Sequence, residues 1–260
     1  MNKQTILAAM AFILTCCTSS TLSAFTPNEE RASRETYFEN ILLLDTSNRY
    51  FPNINFGYVG NDTKPGSGLY FCGGITSQQA LQASRVITET LAYLRDIPAN
   101  SLNLKYIILC SRATASGEHL NAAPVPDLNM LIMNIDRLDV NPAYIQHTFL
   151  HEYYHLAEYK FDRYQDTEWR KQFGTGYSNT RSGYNYMSRP GTGKPGFLNI
   201  YSESYDFEER AELFSYALQA PAEIVNYINS SNDLILREKT EYLVEKCKTM
   251  LGLRISLIGL

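Results

Sequence analysis

Residues 142 to 160 read PAYIQHTFLHEYYHLAEYK, and within them His151-Glu152-Tyr153-Tyr154-His155 forms the pattern H-E-x-x-H. Pro142 suits the first position of a helix, where its missing N–H costs nothing, and the helix is expected to run to about Lys160. Four residues of helix turn the chain by about 400°, so the two imidazoles fall within about 40° of each other, one turn apart. That spacing lets two ring nitrogens bind one zinc ion at about 2.0 to 2.1 Å. Glu152, offset by about 100°, is then placed as the general base for a zinc-activated water that attacks a carbonyl.

A catalytic zinc needs a third protein ligand and an open position. Residues 206 to 214 read DFEERAELF and offer Glu208, Glu209 and Glu212. Asp206 and Glu209 have the spacing of a capping box, so a helix is expected to begin here and to end at Pro221. Glu208 and Glu212 are four apart and share a face, so one can bind metal while the other orients a ligand from behind. His147 lies one turn before His151 and is expected in the core or behind the ligands. Glu158 reads as a surface acid of the helix, and His119 as a solvated loop residue.

Working outward, Lys105 to Cys110 (KYIILC) and Asn129 to Ile135 (NMLIMNI) are short apolar runs that predict buried strands. Residues 77 to 95 space Leu81, Val86, Ile87, Leu91 and Leu94 as one helical face, and residues 28 to 44 predict a further helix. Irregular chain is expected over 46 to 75 and 111 to 127. Residues 162 to 203 form a long, glycine-rich connection, of a length that is usually functional or disordered. A last helix should start near Asp233 and stop before Gly252, with Cys247 on its buried face. The order of elements predicts an α+β fold, with residues 25–260 as one domain.

Composition sets the outer limits. The chain has 260 residues, 44% hydrophobic and 19% charged, which is globular. Lys and Arg number 23 against 27 Asp and Glu, so no basic excess exists to neutralise the phosphates of a nucleic acid. Lys3, the apolar run Ile6 to Leu14 and the small residues up to Ala24 form a signal-peptide pattern over residues 1–24, and export is expected. Leu14-Thr15-Cys16-Cys17 loosely matches a lipoprotein box, so lipid anchoring at Cys16 or Cys17 is the alternative. No transmembrane span is expected in the mature chain. Its cysteines would be Cys72, Cys110 and Cys247. Export favours one disulfide, and Cys72–Cys110 is the expected pair because Cys247 reads as core.

HEYYH, followed by Tyr201 and then Glu208-Glu209-Arg210-Ala211-Glu212-Leu213-Phe214, resembles the gluzincin metallopeptidases. The chain is most similar to the group around anthrax lethal factor, the Pro-Pro endopeptidases and secreted bacterial zinc-binding peptidases. Their pattern is HExxH, then Tyr, six residues, and E-x-x-A-E-x-F. The resemblance implies a zincin-like fold with a small mixed sheet, and one zinc per chain held by His151, His155 and Glu208. It also implies Glu152 as base, Glu212 as the acid behind the ligands, and Tyr201 as the group that stabilises the oxyanion. Two departures stand out. Tyr154 occupies a position where these families often carry Gly, and Tyr205 lies seven residues before Glu212, so a frame with Glu212 as ligand and Tyr205 at the oxyanion competes. The resemblance further implies that residues 129 to 135 are the sheet edge on which an extended peptide or protein substrate pairs as a strand. The expected activity is zinc endopeptidase. The alternatives are a zinc hydrolase of a non-peptide amide such as a cell-wall link, and a binding protein that keeps the fold without catalysis.

Overall fold

A computed structural model describes residues 41–45, 51–62, 71–98, 101, 103–115, 118–136, 141–179 and 189–260. The chain falls into two compact units, Met1–Arg85 with Leu104–Asp139, and Val86–Asn103 with Val140–Leu260. The export signal read over residues 1–24 lies outside the described residues, as does most of the helix expected over 28 to 44. The end of that stretch is a strand instead, β1 (Ile41–Leu43).

The first unit carries a mixed sheet. Its strands are β1, β2 (Asn55–Val59), β3 (Phe71–Gly73), β4 (Tyr106–Ala115), β5 (Glu118–His119), β6 (Ala122–Val125) and β7 (Met130–Asn134). The order is β1-β2-β4-β7-β6, with β3 and β5 paired to β4. β2 and β7 run parallel to β4, while β1 and β6 are antiparallel. All five residues of β7 are buried, which explains why NMLIMNI reads as a continuous apolar run: an interior parallel strand has no solvent face. β7 is therefore not the edge expected of residues 129 to 135. Its outer side is covered by β6, and β6 ends the sheet. The chemistry of β6 suits that place, since Pro124 has no N–H to give a further strand and is tolerated at an edge.

β2, β3, β5 and β6 correct the irregular chain expected over 46 to 75 and 111 to 127, and they place His119 in a strand, still exposed. β4 bends at Arg112, whose φ is +46°, after which it pairs with β3 and β5. The Arg112 guanidinium donates to both oxygens of Asp62 at 2.9 Å, and its backbone N–H donates to Asp136 at 2.8 Å, so the bend is held from both sides. At Gly73, which pairs with Ser111, a Cβ would lie 2.4 Å from Ser111 Oγ, so a larger residue would have to displace the Ser111 and Arg112 side chains. Cys72 and Cys110 sit together in the buried core with Val59, Ile108 and Ile132. They are not joined in a disulfide, which corrects that expectation. The Cys110 thiol is hydrogen-bonded to Cys72, and this bond together with burial pushes its pKa well up.

α1 (Ser77–Leu91), continued by a 3-10 turn at Ala92–Leu94, matches the helix expected over 77 to 95. The second unit is helical: α2 (Pro142–Asp162), α3 (Thr167–Phe173), α4 (Asp206–Gln219), α5 (Pro221–Ser231) and α6 (Leu234–Leu251). α2 begins as its sequence dictates, with Asn141 accepting from the Tyr144 N–H at 3.2 Å and Pro142 in the first turn. α6 begins at the Asp233 cap and ends at Gly252 with φ +68°, and Cys247 is buried in it. Asp206 is not a cap. It is the first residue of α4, and its carboxylate accepts from Arg170 Nε at 2.8 Å and Arg210 Nη1 at 3.2 Å. α4 stops at Gln219, just before Pro221 as expected, and Pro221 also opens α5. No helix among the described residues is long and apolar enough to cross a membrane.

Glu158 is fully buried and not a surface acid. It accepts from the Arg210 guanidinium of α4, and Lys246 of α6 lies 3.7 Å from it. Lys246 in turn donates to Asp162 at 2.7 Å and also to Asp166, so α2, α4 and α6 are joined by one charged cluster. Burial raises the Glu158 pKa while Arg210 opposes the rise. Removing one partner of such a pair leaves a buried charge poorly compensated. Arg210→Met is therefore expected to cost about 3–5 kcal/mol, lowering Tm by on the order of 10 °C for a chain of this size. Calorimetry checks this, and adding Glu158→Gln should recover part of the loss.

Candidate metal centre

α2 is buried on nearly every side from Tyr144 to Glu158, as a helix at the centre of its unit must be. His151 and His155 project from one face, their ring centroids 4.7 Å apart. α4 presents Glu208 to the same point. His151 Nε2 lies 3.0 Å from Glu208 Oε2, His155 Nε2 lies 3.2 Å from that oxygen, and the two ring nitrogens are 3.0 Å apart. Ligands at about 2.0 to 2.1 Å in a tetrahedron are separated by about 3.3 Å, so these three atoms are spaced as the corners of a zinc site.

The tautomer agrees. His151 Nδ1 lies 2.9 Å from Glu212 Oε1, and a carboxylate can only accept, so Nδ1 keeps its proton and Nε2, once deprotonated, is the nitrogen left for a metal. Glu212 Oε1 also takes His147 Nε2 at 3.0 Å, and Oε2 accepts from Asn199 Nδ2 at 2.6 Å. Three donors thus fix the carboxylate that fixes His151. A second grouping, His147, His151 and Glu212, has metal-ligand spacing too. Glu212 is wholly sealed from solvent, whereas His155 and Glu208 keep slight exposure, and a catalytic metal needs an open position. The residues present fit a zinc ion at His151, His155 and Glu208.

Glu152 is buried in α2 between the two histidines. Tyr201 lies in a 3-10 turn (Tyr201–Glu203), its ring centroid 5.8 Å from that of His151. This turn is set by a reciprocal pair: Ser202 N–H donates to Asn199 Oδ1 at 2.8 Å and Asn199 N–H donates to Ser202 Oγ at 3.0 Å. Asn199 therefore ties the Tyr201 turn to Glu212, a link that nothing in the sequence around N-I-Y-S announces. Tyr205 is placed differently. Its hydroxyl donates to the Asn179 carbonyl at 2.9 Å and its ring stacks on Phe207. Tyr216 turns its ring edge to His147, 4.9 Å between centroids. Tyr201 thus lies against the His151 ring, and Tyr205 against Phe207. Tyr154 is buried in the core against Phe214, ring centroids 5.0 Å apart.

The long connection before α4 is anchored from below. Lys239 Nζ of α6 donates to both oxygens of Glu209 at 3.0 Å and to the Gly196 carbonyl at 2.7 Å, and the Tyr177 hydroxyl donates to Glu209 as well. Glu209 is thus committed to this anchor, its pKa raised by burial to about 7 against the pull of Lys239.

Burial lowers the affinity of the His151 ring for a proton, but its bonds to Glu208 and Glu212 outweigh this and hold its pKa at about 10 without metal. Glu208 is held well below the usual carboxylate range by the neighbouring histidines despite its burial, and Glu212 falls to about 2. At neutral pH the metal-free His151 is therefore an imidazolium, and zinc must displace its proton. The expected result is about one proton released by His151 per zinc bound, with affinity rising about tenfold per pH unit below its pKa. Titration calorimetry at pH 7.5 in buffers of different ionisation enthalpy measures the release; affinity that does not change between pH 6 and 8 would contradict it.

No family model and no curated protein matches the chain. Among solved structures, a proposed zinc-binding metallo-peptidase from Bacteroides caccae matches with a TM-score of 0.53 at 15% identity, covering 91% of this chain and 92% of that one. The likeness is one of fold: the chain shares the mixed-sheet and helical α+β architecture of that structure.

Proposed function

We propose that the protein is an exported zinc endopeptidase of gluzincin type. The observation that carries the reading is the convergence of His151 Nε2, His155 Nε2 and Glu208 Oε2 within 3.0 to 3.2 Å, from two different helices. The metallopeptidase-like fold supports it. A zinc ion held there would polarise a peptide carbonyl and lower the pKa of a water molecule.

The chain's own residues supply the rest. Glu152 takes the proton of the attacking water and passes it to the leaving amine. The Tyr201 hydroxyl donates to the carbonyl oxygen as negative charge develops there. Glu212, fixed by His147 and Asn199, holds the His151 ring in the tautomer that leaves Nε2 unprotonated. The substrate would be a peptide or protein bound as an extended strand.

Incubating the purified protein with a denatured protein substrate, with and without a zinc chelator, tests the assignment. New peptides that vanish with chelator and return with zinc support it. Bound zinc without any peptide cleavage would direct attention to a non-peptide amide, and failure to bind zinc would leave a binding protein.

A further inference from the structure

Beside His155 stands a group of aromatic rings that neither the metal site nor the core requires. Tyr164 lies 6.0 Å from the His155 ring at 84°, and Phe207 lies 5.7 Å from it at 62°. Tyr164 and Phe207 are 5.8 Å apart, and Tyr205 stacks on Phe207 at 5.2 Å and 13°. All three are only partly buried, so they present apolar ring surface next to a proposed zinc ligand.

The backbone is bent at a cost to put one of them there. After α2, Arg163 and Tyr164 take φ values of +55° and +64°, two consecutive side-chain-bearing residues in the left-handed region. A single such residue ends many helices, but a second, with a bulky ring, is strain that the surroundings must hold. Arg170 holds it. Its Nη2 donates to the Tyr164 carbonyl at 2.9 Å and its Nε to Asp206 at 2.8 Å, which ties the strained corner to the first turn of α4, where Phe207 sits. The bordering charges of Arg170 and Asp206 are thereby paired with each other.

We infer that Tyr164, Phe207 and Tyr205 form a side-chain subsite beside the reaction centre that selects an aromatic residue flanking the scissile bond. This rests on the metallopeptidase reading above. Flat rings accept another ring in offset or edge-on contact, and a glycine or a charged side chain in that place gains nothing from them.

The test uses the zinc-loaded full chain and two probes with the same chelating group, L-phenylalanine hydroxamate and glycine hydroxamate. The expected result is at least about tenfold tighter binding of the phenylalanine probe. In Tyr164→Gly the ratio should fall to within about twofold. Zinc content should stay the same, because glycine takes the left-handed backbone without strain. Phe207→Leu should lower the ratio too, without disturbing the strained corner. Equal binding of the two probes to the unaltered protein, or a ratio retained in both variants, would overturn the subsite. A peptide-library digest separates the two levels. Cleavage without enrichment of aromatic residues beside the cut overturns the subsite alone. No cleavage of any peptide overturns the peptidase reading, and the probe ratio still decides whether the wall selects rings.

Discussion

Glu152→Gln should purify with its zinc and lose turnover by about 10²- to 10⁴-fold, the usual contribution of a positioned general base. The substitution keeps the shape of the side chain and leaves His151, His155 and Glu208 untouched, so metal content is expected to match that of the unaltered protein. An amide cannot take a proton from water at neutral pH, so kcat should fall with little change in KM. Metal analysis beside the rate of peptide cleavage reads both quantities at once. Proteolysis retained in Glu152→Gln would remove Glu152 from the mechanism.

Glu208→Ala has the second large effect, and it separates the two carboxylates of α4. Glu208 Oε2 is within 3.0 to 3.2 Å of both ring nitrogens, whereas Glu212 touches His151 only at Nδ1, on the far side of the ring. Loss of Glu208 is expected to leave the protein nearly metal-free after purification. Glu212→Ala removes the acceptor that orients His151 and should cost about 10- to 100-fold in zinc affinity or activity. Zinc titration against a competing chelator orders the variants. The opposite order, with Glu212→Ala stripped and Glu208→Ala loaded, would move the metal to the His147, His151 and Glu212 grouping.

The centre was legible in the sequence because its logic is local. H-E-x-x-H sets two imidazoles on one face through the pitch of a single helix, and the spacing of Glu208 and Glu212 sets two carboxylates in the same way on α4. What escaped depends on partners far along the chain. Glu158 reads as a surface acid because Arg210, which buries it, lies 52 residues away. Glu209 reads as half of a capping box because Lys239, its true partner, belongs to α6. β6 is four residues long and contains Pro124, so no local alternation marks it, and only its pairing with β7 makes it a strand and an edge. α5 was hidden by the double meaning of Pro221, which stops one helix and starts the next. Asn199 carries no signal at all, since a buried asparagine is recognisable only once Glu212 is seen against it.

Diffraction from crystals at the zinc absorption edge shows whether one zinc sits where α2 and α4 meet. A single anomalous peak per chain is expected, about 2.0 to 2.2 Å from His151 Nε2, His155 Nε2 and a Glu208 oxygen. A peak among His147 Nε2, His151 Nδ1 and Glu212, or no peak from protein purified with zinc present, would contradict it.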